Sequence, residues 1–274
     1  MLASILITLR EGLEAFLIVG ILLGYLKKIN RPSLGKYVWG GMLMAILVSI
    51  GVAFLFRELA ILFTGEKELI FEIVTSLFAV CVLTWMVLWM QRQAKTIKSE
   101  LEHRVDMAIY SGHIFALASL SFISVFREGL ETVLFLGVLA KDSGSGFIIG
   151  AIGGLVIAGI IAYLVFKSAI RFNLRWFFLI TGSLLILIAG GLIAHAVEDL
   201  QELGVLPILL EEIWNTNSFI DEEGFLGSIL HAFVGYDGDP SLLEIIAYIL
   251  YVGTFTMQFI KMVKPKNPLP SIDS

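Results

Sequence analysis

Two stretches of this chain hold the residues best suited to chemistry: Arg10-Glu11-Gly12-Leu13-Glu14, and its second copy, Arg127-Glu128-Gly129-Leu130-Glu131. On a helix, positions i, i+3 and i+4 share a face. Glu11 and Glu14 then point the same way with Arg10 one turn from Glu14, and Arg127, Glu128 and Glu131 repeat the arrangement. Four carboxylates against two guanidiniums leave a net charge of about −2. Carboxylate oxygens are hard ligands, suited to cations such as iron, manganese, magnesium or calcium. Thiolate and imidazole, which favour copper(I) or zinc, do not occur in either stretch. Each arginine can hold a carboxylate by paired hydrogen bonds while no metal is bound. Buried salt bridges alone would account for Arg10–Glu14 and Arg127–Glu131, but they leave Glu11 and Glu128 without a use.

The elements that must position these groups are apolar. Each copy sits in the middle of a long hydrophobic run, where every charge costs roughly 2.5–3.5 kcal/mol at the bilayer centre, or about 15–20 for all six before pairing offsets some of it. Of the 274 residues 58% are hydrophobic and 16% charged, and the mean hydropathy is +0.90. That excludes an ordinary soluble globule and predicts an all-α integral membrane protein. Seven runs suffice to cross the bilayer, at about 2–26, 38–63, 70–90, 109–140, 147–166, 176–197 and 242–263. The first lacks the basic n-region and unbroken apolar core of a cleavable signal, so it reads as a retained helix. A single cysteine, Cys81, excludes an intrachain disulfide.

Basic residues set the orientation. Lys27, Lys28, Arg31 and Lys36 follow the first run, Arg92, Lys95, Lys98 and Arg104 the third, Lys167, Arg171 and Arg175 the fifth, and Lys264 and Lys266 lie in the tail. Residues 198–241 contain no Lys or Arg. Seven helices with the N-terminus outside and the C-terminus in the cytoplasm satisfy every loop.

The likeness of the two copies extends past the motif, Leu17, Gly20 and Leu22 matching Leu134, Gly137 and Leu139. They stand on the first and fourth runs, which cross in opposite directions. The pattern predicts a 3+3 inverted repeat plus one extra helix within a single membrane domain over residues 1–274: repeat one at about 1–105, repeat two at about 106–204, an extracytoplasmic acidic loop at about 205–241, and a last helix at about 242–263. Glu11 and Glu14 lie 9 and 12 residues from Leu2, as Glu131 and Glu128 do from Ala140. Both pairs then fall about 14–18 Å deep, near the midplane. Gly12, Gly20, Gly24, Gly129 and Gly137, with Gly40, Gly41, Gly150, Gly153 and Gly154 on the second and fifth runs, suit close helix approach.

Two polar regions flank this site. Segment 91–108 has a helical pattern and carries Glu100, Glu102, His103 and Asp106. It is either a solvated cytoplasmic face or an exit path through Glu100, His103 and Asp106; a carboxylate di-iron site needs a second Glu-x-x-His, and the sequence has one. His195, Glu198, Asp199 and Glu202 share a helix face at the outer edge, either the wet end of a helix or an entrance that collects cations. The loop beyond adds Glu211, Glu212, Asp221, Glu222, Glu223, Asp237 and Asp239. Within it, Phe225 to Phe233 suits a short surface helix, and Asp237 to Pro240 a turn.

Arg-Glu-x-x-Glu on the first and fourth of seven runs resembles the oxidase-dependent iron permease family of fungi and bacteria. The resemblance spans nearly the whole chain and includes His195-Ala-Val-Glu-Asp-Leu-Gln-Glu-Leu-Gly204, Trp214 and Ala232-Phe-Val-Gly-Tyr236. It implies iron uptake across the plasma (cell inner) membrane, with ferric ion bound by Glu11, Glu14, Glu128 and Glu131 beside Arg10 and Arg127. It also implies iron as transported substrate rather than cofactor, surrounding membrane lipid, an extracytoplasmic oxidase or peroxidase partner, and no nucleic acid. The alternative is a carrier of another divalent metal (Fe2+, Mn2+ or Pb2+), proton-coupled or not. A retinal protein needs a mid-span lysine in its last helix, where Lys261 stands only at the end. No His-Glu-x-x-His or Gly-x-Ser-x-Gly marks an enzyme.

Overall fold

The computed structural model describes residues 1–93, 96–112, 114–140, 146–167, 173–210, 213–216, 227, 230 and 235–263. Among the described residues there is no strand. The helices are α1 (Leu2–Lys28), α2 (Gly35–Leu62, entered through a 3-10 turn at Pro32–Leu34), α3 (Glu66–Gln93), α4 (Ile97–Tyr110), α5 (Phe115–Leu139), α6 (Gly146–Lys167), α7 (Leu174–Glu202) and α8 (Leu242–Val263).

Five stretches are long and apolar enough to cross a membrane: Pro32–Leu62, Glu66–Met90, Gly146–Lys167, Trp176–Glu202 and Leu242–Lys261. α1 and α5, of 27 and 25 residues, have the length but carry the motif charges. The outward faces of α2 and α6 expose Leu43, Leu47, Phe54, Ile148, Ile149 and Ile152, side chains that lipid accepts and water does not. This is a multi-pass membrane protein.

One boundary is corrected. The run expected at 109–140 is not continuous: α4 ends at Tyr110, Gly112 takes φ +69, and α5 starts at Phe115. A positive φ breaks a right-handed helix, and glycine adopts it without a Cβ penalty. The polar segment is the expected helix. α4 buries Leu101, Val105 and Ala108 on one side, against Ile18, Leu22 and Leu26 of α1.

Packing is dominated by α1 against α6 and α5 against α2, with α3 on α7, α7 on α8, and α1 crossing α5. Glycines make the first two contacts close. A Cβ on Gly41 would strike the Ala118 carbonyl, and one on Gly154 would strike the backbone at Ile5 and Leu9. Gly12 faces Leu155 and Ala158 of α6, while Gly129 faces Ser49 of α2; Gly20 lies on the Phe166 ring and Gly137 on the Phe56 ring. Gly150 touches Met1 and Ser4. Gly24, Gly40 and Gly153 were expected at close approaches too, but nothing lies within 4 Å of where their Cβ would stand.

Two apolar clusters bracket the charged motifs. One joins Ala3 and Ile7 of α1 to Leu83 and Met86 of α3, Phe135 of α5, Leu185 of α7 and Phe259 of α8. The other joins Ile18, Leu22 and Leu26 of α1 to Val38 of α2 and to Leu117 and Val125 of α5. The start of α1 therefore meets the end of α5, and its end meets the start of α5, so these helices run antiparallel. α8 opens on a reciprocal cap in which the Ser241 N–H donates to Glu244 Oε1 at 3.2 Å and the Glu244 N–H donates to Ser241 Oγ at 3.4 Å. Before it, Asp237 Oδ1 accepts from the Asp239 N–H at 3.1 Å in the expected turn. Gly235 (φ +64) is seated against Gly191 of α7. The expected surface helix over Phe225 to Phe233, and Glu211, Glu212, Asp221, Glu222 and Glu223, lie outside the described residues apart from Gly227 and Leu230.

Candidate metal site

α1 brings Arg10, Glu11 and Glu14 into the interior, where each is at most 5% exposed. Arg10 Nη1 donates to Glu11 Oε1 at 2.7 Å, and Arg10 Nη2 pairs with Glu14 Oε1 at 3.0 Å. One guanidinium thus spans both acids of its motif. α5 does the same less tightly. Arg127 Nη2 lies 2.6 Å from Glu128 Oε1, and its Nε lies 3.1 Å from the same oxygen and 3.6 Å from Glu131 Oε1. Glu128 and Glu131 are buried, whereas the Arg127 side chain is 35% exposed.

The crossing of the two helices brings three of the four acids together. Glu11, Glu128 and Glu131 each offer a carboxylate oxygen, all within 4.8 Å of one another. Three buried oxygens of these same residues, Glu11 Oε2, Glu128 Oε2 and Glu131 Oε2, have no hydrogen-bond partner. Buried carboxylate oxygens left unpaired are costly. A cation held by the three carboxylates would have a donor set of hard oxygen. Glu14 stands apart from this trio, held on Arg10.

α3 adds two contacts that the sequence reading did not anticipate. Arg10 Nη1 also donates to Met86 Sδ at 2.9 Å, and the Arg127 guanidinium carbon lies 4.7 Å from the centre of the Trp89 ring. Both side chains belong to an ordinary apolar helix, so only their spacing one turn apart on a common side was available as a signal.

The outer candidates divide. His195 Nδ1 lies 3.0 Å from Glu198 Oε2, and His195 lines a cavity of about 490 Å3 between α2, α3, α5 and α7. Glu68, Glu72, Thr75 and Ser76 of α3 line it too, and it reaches Gly137 of α5. Glu68 and Glu72 were not anticipated in this role. Asp199 is buried, and Glu202 borders a separate groove with Glu66. On α4, Glu100 pairs with Arg104 at 2.6 Å, Asp106 accepts from the Tyr25 hydroxyl at 2.7–2.8 Å, and His103 is exposed. These three stay on the polar side of α4 and are not joined to the glutamate trio.

Residues 1–264 match the iron permease FTR1 family. The chain belongs to that family. Among its relatives, the ferrous iron permease EfeU of Escherichia coli O6:K15:H31 (strain 536 / UPEC) is 33% identical over 263 residues, 95% of each chain. The ferrous iron permease EfeU of Shigella sonnei (strain Ss046) is 33% identical over 255 residues, 92% of each chain. That of Yersinia pestis is 33% identical over 255 residues, 92% of this chain and 90% of its own. No solved structure matches. As an FTR1 family member the chain is an iron transporter, and iron is its substrate rather than a resident cofactor.

Proposed function

We propose that this family member imports iron across the plasma membrane, which in bacteria is the inner membrane, through a midplane site built by its two Arg-Glu-x-x-Glu motifs. The observation that carries this reading is the meeting of Glu11, Glu128 and Glu131 oxygens within 4.8 Å, with three of their oxygens unpaired. The arginines balance two of four charges and keep the acids in place between ions. Glu14 is the fourth motif acid, held on Arg10 outside the trio, and the cavity lined by His195, Glu68 and Glu72 supplies the entrance. Glu198 is paired with His195, whereas Asp199 and Glu202, the other entrance candidates, do not line that cavity, and Glu100, His103 and Asp106 are the exit candidates.

Depth and orientation follow the sequence reading: seven helices, N-out and C-in, in two inverted halves with α8 extra. Exchange packing supports the halves. α1 against α6 corresponds to α5 against α2, and the pairs Gly12–Ala158 and Gly20–Phe166 correspond to Gly129–Ser49 and Gly137–Phe56.

The resemblance noted from the sequence implies ferric ion delivered by an extracytoplasmic oxidase or peroxidase. A second reading, ferrous ion, is favoured by the names of the relatives and by a site charge of about −2, which a divalent ion neutralises. Flux into liposomes holding the purified protein decides between them. Fe2+ under reductant, Fe3+ as a soluble chelate, Mn2+ and Pb2+ are compared with and without a proton gradient. Import of iron in one valence, lost in Glu11→Ala, is the expected result. Equal flux from wild type and Glu11→Ala would sink the site.

A further inference from the structure

The two motif arginines are equivalent in sequence and not in surroundings. Arg10 is sealed, with its side chain 2% exposed, bonded to both acids of its motif and to Met86 Sδ. Arg127 is 35% exposed, holds Glu131 only at 3.6 Å, and has the Trp89 ring 4.7 Å from its guanidinium carbon. The face of an indole attracts a cation, more strongly as water is removed. Glu128 and Glu131, which Arg127 binds, are two of the three acids in the trio, whereas Arg10 binds only Glu11 of it.

We infer that Trp89 is a positioning residue for metal binding: its ring holds the Arg127 guanidinium as Glu128 and Glu131 exchange that cation for the metal. This rests on the proposed glutamate site and adds a division of labour to it. A metal ion approaching the trio meets a guanidinium already on Glu128, and like charges repel. The charge of Arg10 is held in place by Glu11, Glu14 and Met86, with its side chain 2% exposed. Arg127 already overlies the indole and can release its carboxylate contacts while keeping that partner. The incoming ion then faces one more uncompensated carboxylate charge than before. Met86 and Trp89, one turn apart on α3, would thus set one arginine as a permanent counter-charge and the other as a movable one.

The test uses the full-length protein in liposomes, with the iron ion found to be transported, and compares wild type, Trp89→Phe and Trp89→Leu. Leucine keeps an apolar side chain of helical propensity but no π face; phenylalanine keeps the face. Trp89→Leu is expected to raise KM for iron about tenfold with maximal flux little changed, while Trp89→Phe stays within about threefold of wild type. The same pair is then measured in an Arg127→Gln background by equilibrium binding of iron, where Trp89→Leu is expected to have no further effect. If Trp89→Leu and Trp89→Phe are equally impaired, or if the leucine effect persists undiminished in Arg127→Gln, Trp89 is only packing and the inference is overturned. A wild-type protein that neither binds nor moves iron overturns the glutamate site itself. Wild-type transport with a fully active Trp89→Leu overturns the role of Trp89 alone.

Discussion

Glu11 and Glu128 lie on antiparallel helices, and each is bonded to the arginine that precedes it, at 2.7 and 2.6 Å. That bond uses Oε1 in both residues and leaves Oε2 buried without a partner. Adjacent residues on a helix do not face each other, so each arginine has to fold back along its own helix to make this contact. The result is a carboxylate fixed on one side and open on the other. Two such groups, with Glu131, form a half-satisfied oxygen cluster in a place where water is scarce.

Removing one open carboxylate should therefore be felt directly in transport. Glu11→Gln and Glu128→Gln keep the shape and lose the charge, and iron uptake is expected to fall at least tenfold to a hundredfold, about the range seen for residues that merely support a metal's ligands. Protein in the membrane should be unchanged by immunoblot. Uptake near the wild-type level would count against the cluster.

Glu14 should behave differently. It lies outside the trio and is bound by Arg10 at 3.0 Å. Glu14→Gln is expected to weaken equilibrium iron binding less than Glu11→Gln does, by about tenfold in the ratio of dissociation constants. Identical losses in the two variants would mean all four acids bind the ion at once.

The arginines should differ in what they do for stability. Breaking a buried pair by removing one partner costs about 3–5 kcal/mol, because the other charge is left uncompensated. Arg10→Gln fits that case, leaving Glu11 and Glu14 buried. Arg127→Gln, with the side chain 35% exposed, should cost clearly less. Thermal unfolding in detergent would compare them, and an equal drop in midpoint would contradict the asymmetry.

Helix contacts can be tested at glycines. Gly41→Val and Gly154→Val place a branched side chain against neighbouring backbone and should abolish a monodisperse peak in size-exclusion chromatography. Gly40→Ala, with open space around it, should elute like wild type.

Ser49 offers an opposite sign. Its Oγ is buried without a hydrogen-bond partner beside Gly129, where the corresponding contact of Gly12 is with Ala158. Ser49→Ala is expected to leave stability unchanged or raise it by about 1 kcal/mol, as read by the thermal midpoint.

Much of the site was legible because charges in an apolar run are conspicuous: Arg10, Glu11, Glu128 and Glu131 could be singled out with no knowledge of packing. The contribution of α3 could not. Met86 and Trp89 are ordinary residues for a membrane helix, and only tertiary placement sets them on the arginines. The glycines show the same limit. Gly40 and Gly41 are neighbours in sequence but about 100° apart around the helix, and only Gly41 faces α5. The break before α5 was hidden by Ile109 and Tyr110, which extend the apolar run backwards, although Ser111-Gly112 marks it.

The exchange of partners between halves, α1 with α6 and α5 with α2, bears on how the chain is made. Synthesis delivers α1 before its partners, and its three ionic side chains enter the insertion machinery long before α5 and α6 have left the ribosome. Until then, Glu11 lacks Glu128 and Glu131, and Gly12 lacks its neighbours on α6. Biogenesis must therefore shelter α1 at the translocon or tolerate it as a poorly seated helix, and a nascent chain halted after α4 should be prey for membrane proteases.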